Sequence, residues 1–147
     1  MTRRGIGAVV LALVALIALS GGALASQGSP VTIIAVTQID VESPFETVDG
    51  PLCDSGTVFN AKGHFVGWQS DSQAQVTIVK QFDCDDGSFW VNLRATVDFA
   101  TCDTAGTWSV LRGTGAYARL HGAGSITGAS DCGGVIVDTY VGSVHFD

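Results

Sequence analysis

Two consecutive runs of this chain alternate apolar and polar residues with a period of two, the pattern of an extended strand with one buried face. Over residues 74–84, Val76, Ile78 and Phe82 fall on one face and Thr77, Val79 and Gln81 on the other. Over residues 89–99, Phe89, Val91, Leu93, Ala95, Val97 and Phe99 oppose Trp90, Asn92, Arg94, Thr96 and Asp98. Asp85-Asp86-Gly87 joins the runs and predicts a tight hairpin turn. One hairpin with an apolar face is not stable alone and needs further strands. Residues 31–40, rich in β-branched side chains, residues 57–69, with Phe59, Phe65 and Trp68, and residues 135–146 supply them. Pro44 and Asp49-Gly50-Pro51 are expected to break the chain before Cys53, and residues 102–106 to turn it again. No helical periodicity or internal repeat is present. About eight short-spaced strands predict an all-β fold, an up-and-down antiparallel barrel or a sandwich. The barrel is preferred because closure removes exposed edges.

The chain begins with Arg3-Arg4, an uncharged run from Ile6 to Leu19, and the small-residue stretch Ala23-Leu24-Ala25. This is the pattern of a secretory signal peptide, residues 1–25, cleaved after Ala25. Its 14-residue apolar run is too short to span a bilayer, which takes about 20 residues. Residues 26–147 then form one domain, opening on a flexible leader at 26–30. Removing Arg3 and Arg4 from the 7 basic residues leaves 5 against 14 acidic ones, a formal charge of −9. That charge argues against nucleic acid and anionic lipid as partners, and no membrane segment remains after cleavage. The expected location is extracellular.

The four cysteines, Cys53, Cys84, Cys102 and Cys132, then lie in an oxidising compartment and predict two disulfides. Of three possible connectivities, Cys53–Cys84 with Cys102–Cys132 joins the ends of neighbouring predicted strands. Each bridge closes a loop of about 30 residues, worth roughly 3–4 kcal/mol on the loop-entropy account. No Cys-x-x-Cys pair supports zinc, and no local basic group would activate a cysteine.

The stretch from Trp108 to Gly128 is punctuated by five glycines. Gly113-Thr114-Gly115 reads as a tight turn between two strands, and Gly122, Gly124 and Gly128 as bulges or bends where a barrel closes. The segment Trp-x-Val-x-x-Gly-Thr-Gly-Ala-Tyr-Ala-x-Leu-x-Gly-x-Gly at 108–124 resembles the glycine-rich hairpin of allene oxide cyclase-like barrels. That group includes the plant dirigent proteins and small secreted bacterial proteins. The Phe82-x-Cys84-x-Asp-Gly87 hairpin and Cys53-x-Ser-Gly56 resemble its bacterial members. The resemblance covers about residues 50–145 and implies a calycin-like, eight-stranded antiparallel barrel with an apolar cavity. The family's catalytic acidic and polar residues have no matching motif here, so no catalytic residue carries over.

Several side chains are candidates for a site. Lys80 shares a face with Val76, Ile78 and Phe82, and a lysine inside an apolar barrel requires a partner. Alternatively it snorkels at a barrel end, or the register slips near Cys84. Asp138 and Tyr140 share a face with Ile136, which points either into the lumen or outward as a polar face. Trp90, Tyr117 and Tyr140, with Trp68 and Trp108, could line an apolar pocket or fill the core. The candidate ligand site is therefore Lys80, Trp90, Tyr117, Asp138 and Tyr140. His64, His121 and His145 show no metal-ligand spacing, and no Gly-x-Ser-x-Gly elbow is present. No metal or cofactor is expected. Three functions follow: a barrel binding a small apolar molecule, an isomerase or cyclase with polar groups in the lumen, or a filled barrel acting through its surface. Oligomeric state is left open.

Overall fold

The computed structural model describes residues 28–38 and 40–147. The expected signal peptide and the start of the leader lie outside the described residues. Eight strands run in order: β1 (Ser29–Gln38), β2 (Ser43–Asp49), β3 (Ser55–Trp68), β4 (Gln73–Cys84), β5 (Gly87–Asp98), β6 (Asp103–Gly113), β7 (Leu120–Ser130) and β8 (Val135–Phe146). Each pairs antiparallel with the next, and β1 pairs with β8, closing an up-and-down barrel. The fold is all-β, as the alternation requires, and the sandwich alternative falls.

Alternation decides what fills the lumen. Ile33 and Ala35 of β1, Phe45 of β2, Val58 of β3, Phe82 of β4, Phe89, Val91 and Leu93 of β5, Trp108 of β6, Ile126 of β7 and Tyr140 and Val144 of β8 are all buried. Cys84 pairs with Gly87, so Asp85 and Asp86 form the predicted two-residue turn. Both predicted disulfides are present, Cys53–Cys84 and Cys102–Cys132, with Cα separations of 6.1 and 5.4 Å. The first ties the loop before β3 to the end of β4. The second ties the β5–β6 turn to the β7–β8 turn at the opposite end.

Five local expectations are corrected. The leader does not extend to residue 30, because Ser29 and Pro30 already pair with Val144 and Ser143. Residues 43–49 are not a break but β2. Pro44, its second residue, is exposed, and the strand is short enough to tolerate a missing donor there. The fifth turn lies at 99–102, and residues 103–106 already belong to β6.

Gly113-Thr114-Gly115 does not make a two-residue turn. It leads into a single turn of 3-10 helix at Gly115–Tyr117, with Gly115 at φ 58°, and β7 begins at Leu120. Nor is β7 bulged. The register shifts fall instead between Thr32 and Ile33, Asn60 and Lys62, Phe65 and Gly67, and Trp90 and Val91. Gly124 and Gly142 make room inside the barrel. A Cβ on Gly124 would stand 2.8 Å from the Trp108 indole nitrogen, and one on Gly142 2.7 Å from the indole ring.

Candidate functional site

The lumen is packed at one end and hollow at the other. At the packed end Phe82 stacks on Phe89 at 4.9 Å, Phe45 meets Phe82 edge-on at 5.0 Å, and Tyr140 meets Phe82 edge-on at 5.5 Å. Such geometries match the quadrupoles of the rings as well as burying their area. Tyr117 closes this end, its ring 5.3 Å from Phe89 and its hydroxyl accepting the Cys53 N–H at 3.1 Å.

Toward the other end lies a cavity of about 250 Å³ with an almost wholly apolar wall that includes Val76, Ile78, Val97, Phe99 and Ile136. Phe65, Trp68 and Phe99 gather at its mouth, with Trp68 5.7 Å from Phe65 and 5.5 Å from Phe99. All three are at least half exposed, a concentration of apolar surface at one opening. The Cys102–Cys132 bridge holds the turns beside it.

The polar groups of the cavity sit deep inside. Lys80 from β4 and Asp138 from β8, only 3% and 4% exposed, form an ion pair at 2.5 Å across the lumen. Thr37 of β1 completes a triangle. Its hydroxyl accepts from Lys80 Nζ at 2.9 Å and donates to Asp138 Oδ2 at 2.9 Å. The next inward residues toward the packed end, Phe82 and Tyr140, belong to the aromatic cluster, so the triangle is the cavity floor. Asn60, opposite Lys80 in the β3–β4 register and beside a bulge, also lines the cavity. Its side-chain oxygen is buried with no hydrogen-bond partner among the described residues, as is the Tyr140 hydroxyl.

Burial lowers the Lys80 pKa, opposed by the Asp138 charge and its hydrogen bond. Burial also pushes the Tyr140 phenol well up, reinforced by the Asp138 charge. Tyr117 is raised too, first by burial, then by its hydrogen bond with Asp86 and that residue's charge, against the Cys53 N–H. An ammonium and a carboxylate held together in an apolar chamber can orient a polar ligand group or pass it a proton.

Of the five predicted ligand-site residues, the structure brings Lys80 and Asp138 together in the cavity and sets Tyr140 directly beneath. The snorkelling Lys80 and the outward Asp138 are overturned. Tyr117 belongs to the packed end. Trp90 stands on the outer wall, where the Arg112 guanidinium lies 4.0 Å above its ring. Trp108 packs in the core, with its indole N–H donating to the Val141 carbonyl at 3.4 Å. Thr37, Asn60, Phe65 and Phe99 were missed, whereas Trp68, named as a pocket-lining candidate, stands at the mouth. Thr37 was legible in the alternation of Ile33 and Ala35, but Asn60 depends on a bulge that no local pattern announces.

The histidines are less scattered than expected. His121 and His145 stack across β7 and β8 at 5.3 Å, and both approach Asp147. Among the described residues, no three His, Cys, Asp or Glu side chains are grouped to hold a metal ion. No helix among them is long and apolar enough to cross a membrane, and two disulfides fit an extracellular protein. No family model, curated protein or solved structure matches the chain.

Proposed function

We propose that this is a secreted barrel that binds a small, largely apolar molecule in the hollow half of its lumen. The observation that carries the reading is the 250 Å³ apolar cavity opening between exposed aromatic residues. A barrel acting only through its surface has no use for a hollow interior, since small barrels ordinarily fill themselves with side chains. Secretion rests on the signal-peptide pattern and the disulfides. The glycine-rich hairpin's resemblance to allene oxide cyclase-like barrels agrees with a lumenal ligand.

The test is native mass spectrometry of the chain recovered from its own host, with calorimetric titration of a small neutral probe of matching size, indole. A mass that leaves on denaturation, or probe binding lost in the cavity-filling Ile78→Trp variant, supports the reading. A bare native mass together with a probe that does not bind refutes it.

A second reading, an isomerase or cyclase, is favoured by one observation: the cavity floor is polar. Lys80 and Asp138 touch the same space as the apolar wall and are placed to shuttle a proton. Conversion of a bound occupant by the parent chain but not by Asp138→Asn would establish it. Binding without conversion would exclude it.

A further inference from the structure

We propose that the occupant is a carbonyl compound, an apolar aldehyde above all, which Lys80 captures as an imine at the cavity floor. The inference rests on the ligand-binding reading and gives that ligand a chemical class.

The floor carries one positive and one negative charge, and this restricts what it accepts. A carboxylate ligand would set a second anion against Asp138 with only Lys80 to share, and an amine would set a second cation against Lys80. In a chamber walled almost wholly by apolar groups either excess charge is costly. The ligand is therefore neutral. Two of the three Nζ hydrogens of Lys80 are committed, to Thr37 Oγ1 and Asp138 Oδ2. The third has no acceptor among the described residues. Among neutral polar groups, a carbonyl both accepts a hydrogen bond and reacts with an amine. A buried lysine in direct contact with a carboxylate that can take its proton is the residue suited to that chemistry.

The step balances. A proton passes from Lys80 to Asp138, and the freed Nζ lone pair forms a bond to the carbonyl carbon. The carbonyl π pair moves onto oxygen, which takes the proton back from Asp138 and gives a carbinolamine. A second proton moves from nitrogen to that oxygen through Asp138, the C–O bond breaks, and water leaves. The sum is ammonium plus aldehyde giving iminium plus water, with the Asp138 carboxylate unchanged. The floor holds one cation and one anion before and after, so the exchange adds no net charge to the chamber. At the ~30 Å³ that liquid water allots to each molecule, 250 Å³ holds roughly eight non-hydrogen atoms, the scale of a medium-chain aldehyde.

The chain provides its own control, because its two lysines are Lys80 and the exposed Lys62. The full chain is incubated with octanal and cyanoborohydride, digested and mapped, while octanal and octanol are each titrated calorimetrically in competition with indole. The expected result is reductive octylation of Lys80 at least tenfold ahead of Lys62. Lys80→Arg, which keeps the charge opposite Asp138, should lose the adduct, whereas Lys62→Arg, altered outside the cavity, should keep both the Lys80 adduct and the displacement of the probe by octanol. Displacement by both compounds without a Lys80 adduct overturns the imine and leaves ligand binding standing. Failure of both to displace the probe, with no adduct, overturns both. Labelling of Lys62 or the N-terminal amine as fast as Lys80 overturns the imine.

Discussion

Replacing Asp138 by asparagine keeps the shape of the side chain and removes its charge. Lys80 would then sit 3% exposed among apolar groups with no anion. Removing one member of a buried pair costs about 3–5 kcal/mol, and the amide oxygen, still able to accept from Nζ, places this variant near 3 kcal/mol at neutral pH. For a domain of this size that lowers the melting temperature by roughly 12 °C, at about 4 °C per kcal/mol. The deficit should depend on pH in a definite direction. Burial already lowers the Lys80 pKa, and only the Asp138 charge and hydrogen bond oppose it. Without that opposition the folded-state pKa drops further below the unfolded value of about 10.4. Between those two values the unfolded chain holds more protons than the folded one, so stability rises with pH. Urea unfolding of parent and variant at pH 6, 7.5 and 9 should therefore show a gap that narrows as pH rises. The charge-free pair Lys80→Met with Asp138→Leu should return to within about 1–2 kcal/mol of the parent, the remainder being the orphaned Thr37 hydroxyl. A cost below about 1 kcal/mol, a gap flat with pH, or additive single and double variants would refute the view of the triangle as a desolvated ion pair.

The two tyrosines make an alkaline counterpart. Tyr117 and Tyr140 both have raised pKa values, so their contribution is present below about pH 10 and lost above it. Phenolate absorbance near 295 nm should thus appear with unfolding rather than before it. Replacing Cys102 and Cys132 by serine should cost about 3–4 kcal/mol by calorimetry and weaken probe binding, whereas replacing Cys53 and Cys84 should cost as much and leave the cavity mouth intact. Gly106→Ala should destabilise the chain by more than about 2 kcal/mol, since its Cβ would fall against the Arg94 carbonyl oxygen. Equal thermal stability would show that β5 and β6 can separate there without cost.

The barrel was legible because two long consecutive strands, β4 and β5, carry their burial pattern openly. Residues 74–99 give strand, face and turn together, and Lys80 was conspicuous because it stood on the wrong face for a charge. The partner was not legible. Asp138 and Thr37 come from strands 58 and 43 residues away in sequence, and only barrel closure brings them to Lys80. β2 was hidden by Pro44, since a proline in a short strand reads locally as a break. Trp90 was misplaced for a different reason. As an aromatic it reads as pocket lining wherever it stands, although the alternation of β5 had already set it on the face opposite Leu93.

Closure of the barrel also determines how it comes apart. Seven of the eight strand pairings join neighbours in the chain and can form early, each over a short loop. The eighth, from Ser29 opposite Val144 to Gln38 opposite Val135, must bring together the two ends of the domain, so it carries the largest loop-closure entropy. Neither disulfide crosses that junction: one spans residues 53–84 and the other 102–132. Besides the backbone ladder, the Thr37 hydroxyl bonded to Asp138 stitches β1 to β8 there, and Lys80 clasps both from across the lumen. The group proposed to receive a ligand is thus also the latch on the barrel's one long-range seam, and an occupant that bonds to it would tighten the domain where covalent bonds do not reach.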